Sequence, residues 1–220
     1  MMTKRTQFDA YLDELRLALI EMGEQVEEAI QNSVASLKEM DVSLARNVIK
    51  NDPAINALEE KIEDIGTRII ATQQPVAKDL RRIIIAFRMA NDLERMADLA
   101  VDIAKVTMRI EHEGLIKPLV DIPRMAEIVQ RMTGDSIHSY IREDVQLAYK
   151  MARMDDEVDQ LHKQILRELF TYIMENGKYV NQTLQLCFVS RYLERMADHA
   201  TNIGESVVYL VQGKRPDLNH

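Results

Sequence analysis

Apolar residues recur at helical spacing along most of this chain. Between residues 8 and 40, Leu12, Leu15, Leu19, Met22, Val26, Ile30, Val34 and Leu37 fall three or four apart. That spacing lines one face of a helix and predicts a single long amphipathic element. Asp41 stands where an N-cap would and predicts a short helix over 42–50. Asp52 followed by Pro53 is a second start signal, with Asp at the cap and Pro at the first helical position. The helix it opens carries Ile55, Leu58, Ile62, Ile65 and Ile69 and stops before Pro75. A third long helix runs from near Asp79 to about Glu113, where Gly114 ends it. At ~1.5 Å per residue it spans roughly 50 Å.

After a linker-like stretch at 115–123, with Pro118 and Pro123, the plan starts again. Helices are predicted over 124–153, from Asp155 to near Gly177, and from Asn181 to Gly213, followed by a loose polar tail at 214–220. The halves align in sequence. At an offset of 103, Asp41, Leu44, Ala45, Asp52, Ile55 and Leu58 fall on Asp144, Leu147, Ala148, Asp155, Val158 and Leu161. At an offset of 100, the third helices coincide, and the slip falls in the turn before them. The predicted fold is all-α: two tandem homologous antiparallel three-helix bundles, over 1–114 and 124–213.

Composition narrows the class. Aromatics make up 5% of the 220 residues, Trp is absent, and Gly and Pro number only 7 and 5. Such a mix suits helices packed through Leu, Ile, Ala and Met, and argues against a sandwich or barrel. The 13 Met read as core filler. A net charge of −8 lacks the basic face that nucleic acid requires, and fits a protein that meets cations or basic partners. Cys187, between Leu186 and Phe188, reads as a buried, inert thiol. A single cysteine rules out a disulfide within the chain, which fits a reducing compartment. Lys4 and Arg5 lead into Asp9, Asp13 and Glu14 rather than an apolar signal core. The densest apolar run, 83–87, falls far short of the ~20 residues that span a bilayer. Any membrane association is therefore expected to run through partners.

The candidate chemistry lies in a doubled hexapeptide. Leu-Glu-Arg-Met-Ala-Asp occupies 93–98 and again 193–198. With the next helical step it stacks Glu94, Asp98 and Asp102 on one helix face, and Glu194, Asp198 and Asn202 on another. Like charges four apart cost a helix roughly 0.2–0.5 kcal/mol per pair. Keeping that cost twice points to a bound cation. The competing reading is that Arg95 and Arg195, three residues before Asp98 and Asp198, neutralise a solvated face. A second row lies on the preceding helix of each half: Asp52, Asn56 and Glu59, then Asp155, Asp159 and His162. Facing rows of carboxylate and amide oxygens suit Mg²⁺, Mn²⁺ or Ca²⁺, and iron where an imidazole joins. Asp52 and Asp155 double as N-caps, and His162 reads as a surface histidine. Lys78, Arg81 and Arg82 could contact an anion or an acidic partner, and otherwise form a solvated face. The chain has no Gly-rich phosphate loop, HExxH or CxxC, and no triad-like cluster.

With these residues in view, the chain resembles the PhoU family of bacterial phosphate-signalling regulators. The likeness rests on the doubled hexapeptide, extended in the second copy through Asp198-His199-Ala200-Thr201-Asn202. It rests also on Arg68-Ile69-Ile70-Ala71-Thr72-Gln73-Gln74-Pro75 running into Asp79-Leu80-Arg81, on the Asp-started helices at Asp52 and Asp155, and on the tandem plan over 8–213. The resemblance implies a cytoplasmic adaptor rather than an enzyme. Such an adaptor works beside a phosphate ABC transporter, at its ATPase subunit, and a sensor histidine kinase. It holds the phosphate-starvation response off and restrains uptake. The resemblance further implies a homodimer, and divalent metal ions (Mg, Mn, Fe or Zn) on the E/D-xxx-D ladders. Asn202, where the first copy has Asp102, leaves the second ladder one charge short. Two other readings of the residues stand beside it. One is a carboxylate-bridged di-metal oxidase of ferritin-like type, whose Glu-x-x-His pairs have a single near match in Asp159-x-x-His162. The other is a metal-free helical scaffold with arginine-neutralised ladders.

Overall fold

The computed structural model describes residues 4–214 and 216–218, with side chains from residue 7 onward. Residues 1–3, at the expected start of the first bundle, and Arg215, Asn219 and His220, in the expected loose tail, lie outside the described residues. Six α-helices follow one another: α1 (Lys4–Glu39), α2 (Val42–Gln73), α3 (Lys78–Arg109), α4 (Asp121–Arg142), α5 (Val145–Glu175) and α6 (Val180–Gln212). A 3₁₀ turn, Gly177–Tyr179, precedes α6. Among the described residues there is no strand, and no helix is long and apolar enough to cross a membrane. The fold is all-α, with α1–α3 and α4–α6 each forming a three-helix bundle.

The same corner is built twice. Asp41 caps α2 by accepting from the Leu44 N–H at 3.0 Å, and Asp144 caps α5 by accepting from the Leu147 N–H at 3.0 Å. Before each cap a non-glycine residue turns left-handed, Met40 with φ 56° and Glu143 with φ 51°. Ser36 and Ser139 repeat the same bond to a carbonyl three residues back, each at 2.7 Å. The break in the second half therefore falls at Glu143, and the helix predicted over 124–153 is two helices.

Asp52 and Asp155 are not helix starts. Both lie inside continuous helices, and Pro53 sits within α2. A proline there removes one helical hydrogen bond and costs about 3 kcal/mol. The stripe Ala45, Val48, Ile55 and Leu58 is buried on both sides of it, so packing carries the helix through. Pro53 itself is exposed, where solvent can serve the freed carbonyl. At the other end, α3 stops at Arg109, short of the predicted Glu113. The buried amide of Gln182 on α6 holds the connection that follows. It accepts from the Ile116 N–H at 2.5 Å and donates to the Gly114 carbonyl at 3.0 Å, pairing with the connection as a strand would. The connection is short, because α4 already begins at Asp121.

The two halves share one buried core that draws on all six helices. α3 and α6 run antiparallel along the seam: Asp92 meets His199 at 2.9 Å, and Arg109 meets Gln185 at 3.4 Å farther along. α1 and α4 close the other side, with the Glu27 carbonyl accepting from Gln130 at 3.1 Å. Gly23 lies so close to Ile137 that a Cβ there would overlap it. Lys78 and Arg82 are not a free basic face: they clamp Glu143 at the second corner, at 2.5 Å from Lys78 and 2.5–2.8 Å from Arg82. Of the tail, the Leu218 N–H donates to Glu205 at 2.8 Å.

Candidate metal centre

The ladder helices α3 and α6 face the second-row helices α2 and α5, as the repeat predicts. The packing that buries Leu93, Met96, Ala97 and Ala100 leaves Glu94 half-covered against α2, with Asp98 and Asp102 nearer solvent. In the first half, Asp52 Oδ1, Asn56 Oδ1 and Glu94 Oε2 are buried with no hydrogen-bond partner. In the second half, Asp155 Oδ1 and Glu194 Oε2 are in the same condition. A buried acceptor left unpaired costs roughly 1–3 kcal/mol, and more when charged. Four of these acceptors have no partner, and the fifth, Glu94 Oε2, has only the Arg95 guanidinium at 3.3 Å; the set calls for donors or a cation.

The protonation equilibria agree. Burial raises Asp52, and the Asp98 charge raises it further. Burial raises Glu94, helped by Asp98, Glu59 and Asp52, while Arg95 opposes. In the second half the effect is larger. Asp155 is pushed up to about 7, by burial first and then by Asp198, Asp159 and Glu194. Burial likewise raises Glu194 and Asp198, with Arg191 opposing both. These carboxylates share one electrostatic environment in each half, though they lie on different helices. A divalent ion would reverse the repulsion that holds their protons.

Part of each row is neutralised by protein cations. Arg95 reaches Glu94 at 3.3 Å and Asp98 at 3.1 Å. Lys105 pairs with Asp102 at 3.0 Å and Lys163 with Asp159 at 3.0 Å. In the second half it is Arg191, not the hexapeptide's Arg195, that pairs with Glu194. Among the described residues, no three Asp, Glu, His or Cys side chains close round a single point. The donor set fits a hard cation by chemistry, since its orphaned atoms are carboxylate and carboxamide oxygens.

Three placements differ from, or add to, the pattern in the sequence. His162 is half-buried rather than on the surface, and its Nδ1 is hydrogen-bonded to the Ser190 hydroxyl. Burial lowers its proton affinity, which favours the neutral imidazole, against the opposing charge of Asp159. Ser190 and Arg191 carry no periodic signal that would single them out. Asn202 lines a cleft at the α3–α6 seam with Asp92, Arg88 and Glu205. Cys187 is half-buried with its thiol pushed up by burial, consistent with an inert side chain.

The PhoU domain family matches residues 19–107 and 122–207, one copy for each bundle. The chain belongs to the PhoU family. It is 39% identical over 219 residues to a Clostridium acetobutylicum protein named phosphate-specific transport system accessory protein PhoU homolog, covering 98% of this chain and 99% of that one. It is 42% identical over 203 residues to the Aquifex aeolicus protein of the same name, covering 92% of each. To the Escherichia coli phosphate-specific transport system accessory protein PhoU it is 32% identical over 217 residues, covering 97% and 88%. The crystal structure of PhoU from Pseudomonas aeruginosa superposes with a TM-score of 0.89 at 37% identity, covering 94% of this chain and all of the other. The phosphate transport system regulatory protein PhoU from Streptococcus pneumoniae superposes at 0.88 with 28% identity, covering 96% and 99%.

Proposed function

We propose that this chain is an accessory regulator of phosphate-specific transport and acts as an adaptor without chemistry of its own. The observation that carries the reading is the full-length likeness to relatives named as accessory proteins of that transport system. In the finer form of the proposal, the protein works in the cytoplasm as a homodimer. It binds the ATPase subunit of the phosphate ABC transporter and a sensor histidine kinase, and keeps starvation genes silent while phosphate is plentiful.

Metal belongs to the same proposal. Glu94, Asp98 and Asp102, with Asp52 and Asn56, would hold divalent ions in the first half. Glu194, Asp198 and Asn202, with Asp155 and Asp159, would do so in the second. The unpartnered oxygens of Asp52, Asn56, Asp155 and Glu194 support this ligand set. A bound ion would supply charge neutralisation and rigidity, tying α2 to α3 and α5 to α6. By linkage it would favour whichever partner-binding state it binds more tightly. The oxidase reading has less support, because His162 is the one imidazole in the rows and Glu59 stands at its equivalent in the first half.

Deleting the gene in its host tests the adaptor. Phosphate-starvation genes should switch on in phosphate-rich medium and fall silent when the wild-type chain is restored. Silence after deletion, with unchanged phosphate uptake, overturns the reading.

A further inference from the structure

The internal repeat serves as its own control: where the halves share a fold but differ in lining, the difference is specific to one of them. One such difference is a groove where α1 and α2 part over α3, with a volume of about 240 Å³. Its walls carry four carboxamides, Gln25, Asn32, Asn47 and Asn51, and two carboxylates, Glu28 and Asp52. Its floor is apolar, formed by Ala29, Val48, Ile55, Ala97 and Val101.

The matching place in the second half packs methionine and sets two cations, Arg131 and Lys150, beside two acids, Asp135 and Asp155. At the offset of 103, Met132, Met151 and Met154 stand for Ala29, Val48 and Asn51. Met132 and Met151 are fully buried there, and Gly204 leaves room for the Met151 methyl, which a Cβ would meet at 2.8 Å. Arg131 and Lys150 replace Glu28 and Asn47. One half thus packs methionine and balances its acids with cations, while the other leaves space and presents only amides and acids.

From this contrast we infer that the first-half groove is a binding site for a small organic ammonium, a primary amine on a short alkyl chain. An ammonium is donor-only, and every charged group lining the groove is an acceptor. The amide oxygens add neutral acceptors, and Asn32 holds Glu28 in place at 3.4 Å. The floor takes a run of methylenes. No lysine or arginine lines the groove, and the nearby Lys105 is held by Asp102 at 3.0 Å. Phosphate and other anions are therefore poor occupants of this groove, even in a protein of the PhoU family.

The site is distinct from the proposed metal rows, with Asp52 as the one shared residue. Calorimetric titration of the full chain with putrescine, in buffer containing a chelator, tests it. The wild type should give saturable one-site binding, and inorganic phosphate should give none. The double variant Ala29→Met/Asn51→Met installs residues the second half already accommodates. It should keep its thermal unfolding and lose affinity at least about tenfold, as should Glu28→Arg. Asp98→Ala/Asp198→Ala should lose metal while keeping the amine, which separates the two readings. Nα-acetyl-lysine methylamide distinguishes the sources of the ammonium. Affinity equal to putrescine identifies a lysine side chain of a partner, and binding of putrescine alone identifies a free diamine. Absence of saturable heat at millimolar putrescine overturns the proposal, as does unchanged affinity in both groove variants.

Discussion

Asp155 serves badly both as a helix cap and as a free charge. Its position before a polar run suits an N-cap, yet it lies in mid-helix with Oδ1 buried and unpaired. Crowded by Asp198, Asp159 and Glu194, it gains nothing from its own charge in the apo protein. Changing Asp155 to Asn should therefore leave apo stability unchanged or slightly higher at neutral pH. In the wild type, saturating Mn²⁺, Mg²⁺, Zn²⁺ or Fe²⁺ should raise the melting temperature, because a ligand at about 100 times its Kd stabilises by roughly 2.7 kcal/mol. For a chain of this size that is roughly 5–10 °C. The pair of changes Asp98→Ala and Asp198→Ala should abolish the shift and leave circular dichroism unaltered. A wild type that shows no shift with any of the four ions disproves the metal reading.

At the scale of elements, the corner between α4 and α5 is held from the other half of the molecule. Burial alone would raise Glu143, but hydrogen bonds from Lys78 and Arg82 outweigh it and hold its carboxyl below the ordinary 4.5. Arg82 is in turn fixed by Asp79 at 2.7 Å, and Tyr140 donates to the Arg82 carbonyl at 3.0 Å. A carboxyl with a lowered folded value contributes stability that is complete above its unfolded value. That contribution is lost as pH falls through the folded value. The wild type should thus lose stability on acidification below about pH 4.5 more steeply than Glu143→Gln. At pH 7 the variant should be weaker by roughly 1–3 kcal/mol, read from urea unfolding. The α2–α3 contact gives a second test. A Cβ on Gly66 would overlap the Phe87 ring, whereas the second half has Leu169 and Cys187 at the equivalent positions. Gly66→Leu alone should cost roughly 1–3 kcal/mol through overpacking. Adding Phe87→Cys should restore most of that loss, a coupling that a double-mutant cycle measures directly.

On the scale of the whole molecule, the tandem repeat is not two independent beads. The core is continuous, and α3 with α6 and α1 with α4 pack across the halves. Thermal or urea unfolding of the metal-free chain should therefore proceed in one cooperative transition seen alike by tyrosine fluorescence and circular dichroism. Two separated transitions would show that the halves fold apart. A molecule built this way couples its bundles, because they share one core.

The all-α class and the tandem repeat were legible in the chain itself, although local start signals split α2 in two and so predict one helix too many. Apolar residues three or four apart can lie on one face only in a helix, and an identical hexapeptide at equal offset leaves two copies of one plan. The places where local signals failed share a physical cause. Asp52-Pro53 reads as a helix start because capping and φ preference are local, but the buried stripe from Ala45 to Leu58 outweighs them. The break at Glu143 repeats the local cap of the first corner, and Lys78 and Arg82 only clamp it from a distance, while the connection after Arg109 is held by Gln182, which is distant in sequence. The same holds for the sites. Which carboxylates repeat follows from composition along one helix. Which oxygens are buried without a partner, which cation neutralises which acid, and where a groove stays open are set by how six helices meet, and burial is a property only the packed chain possesses.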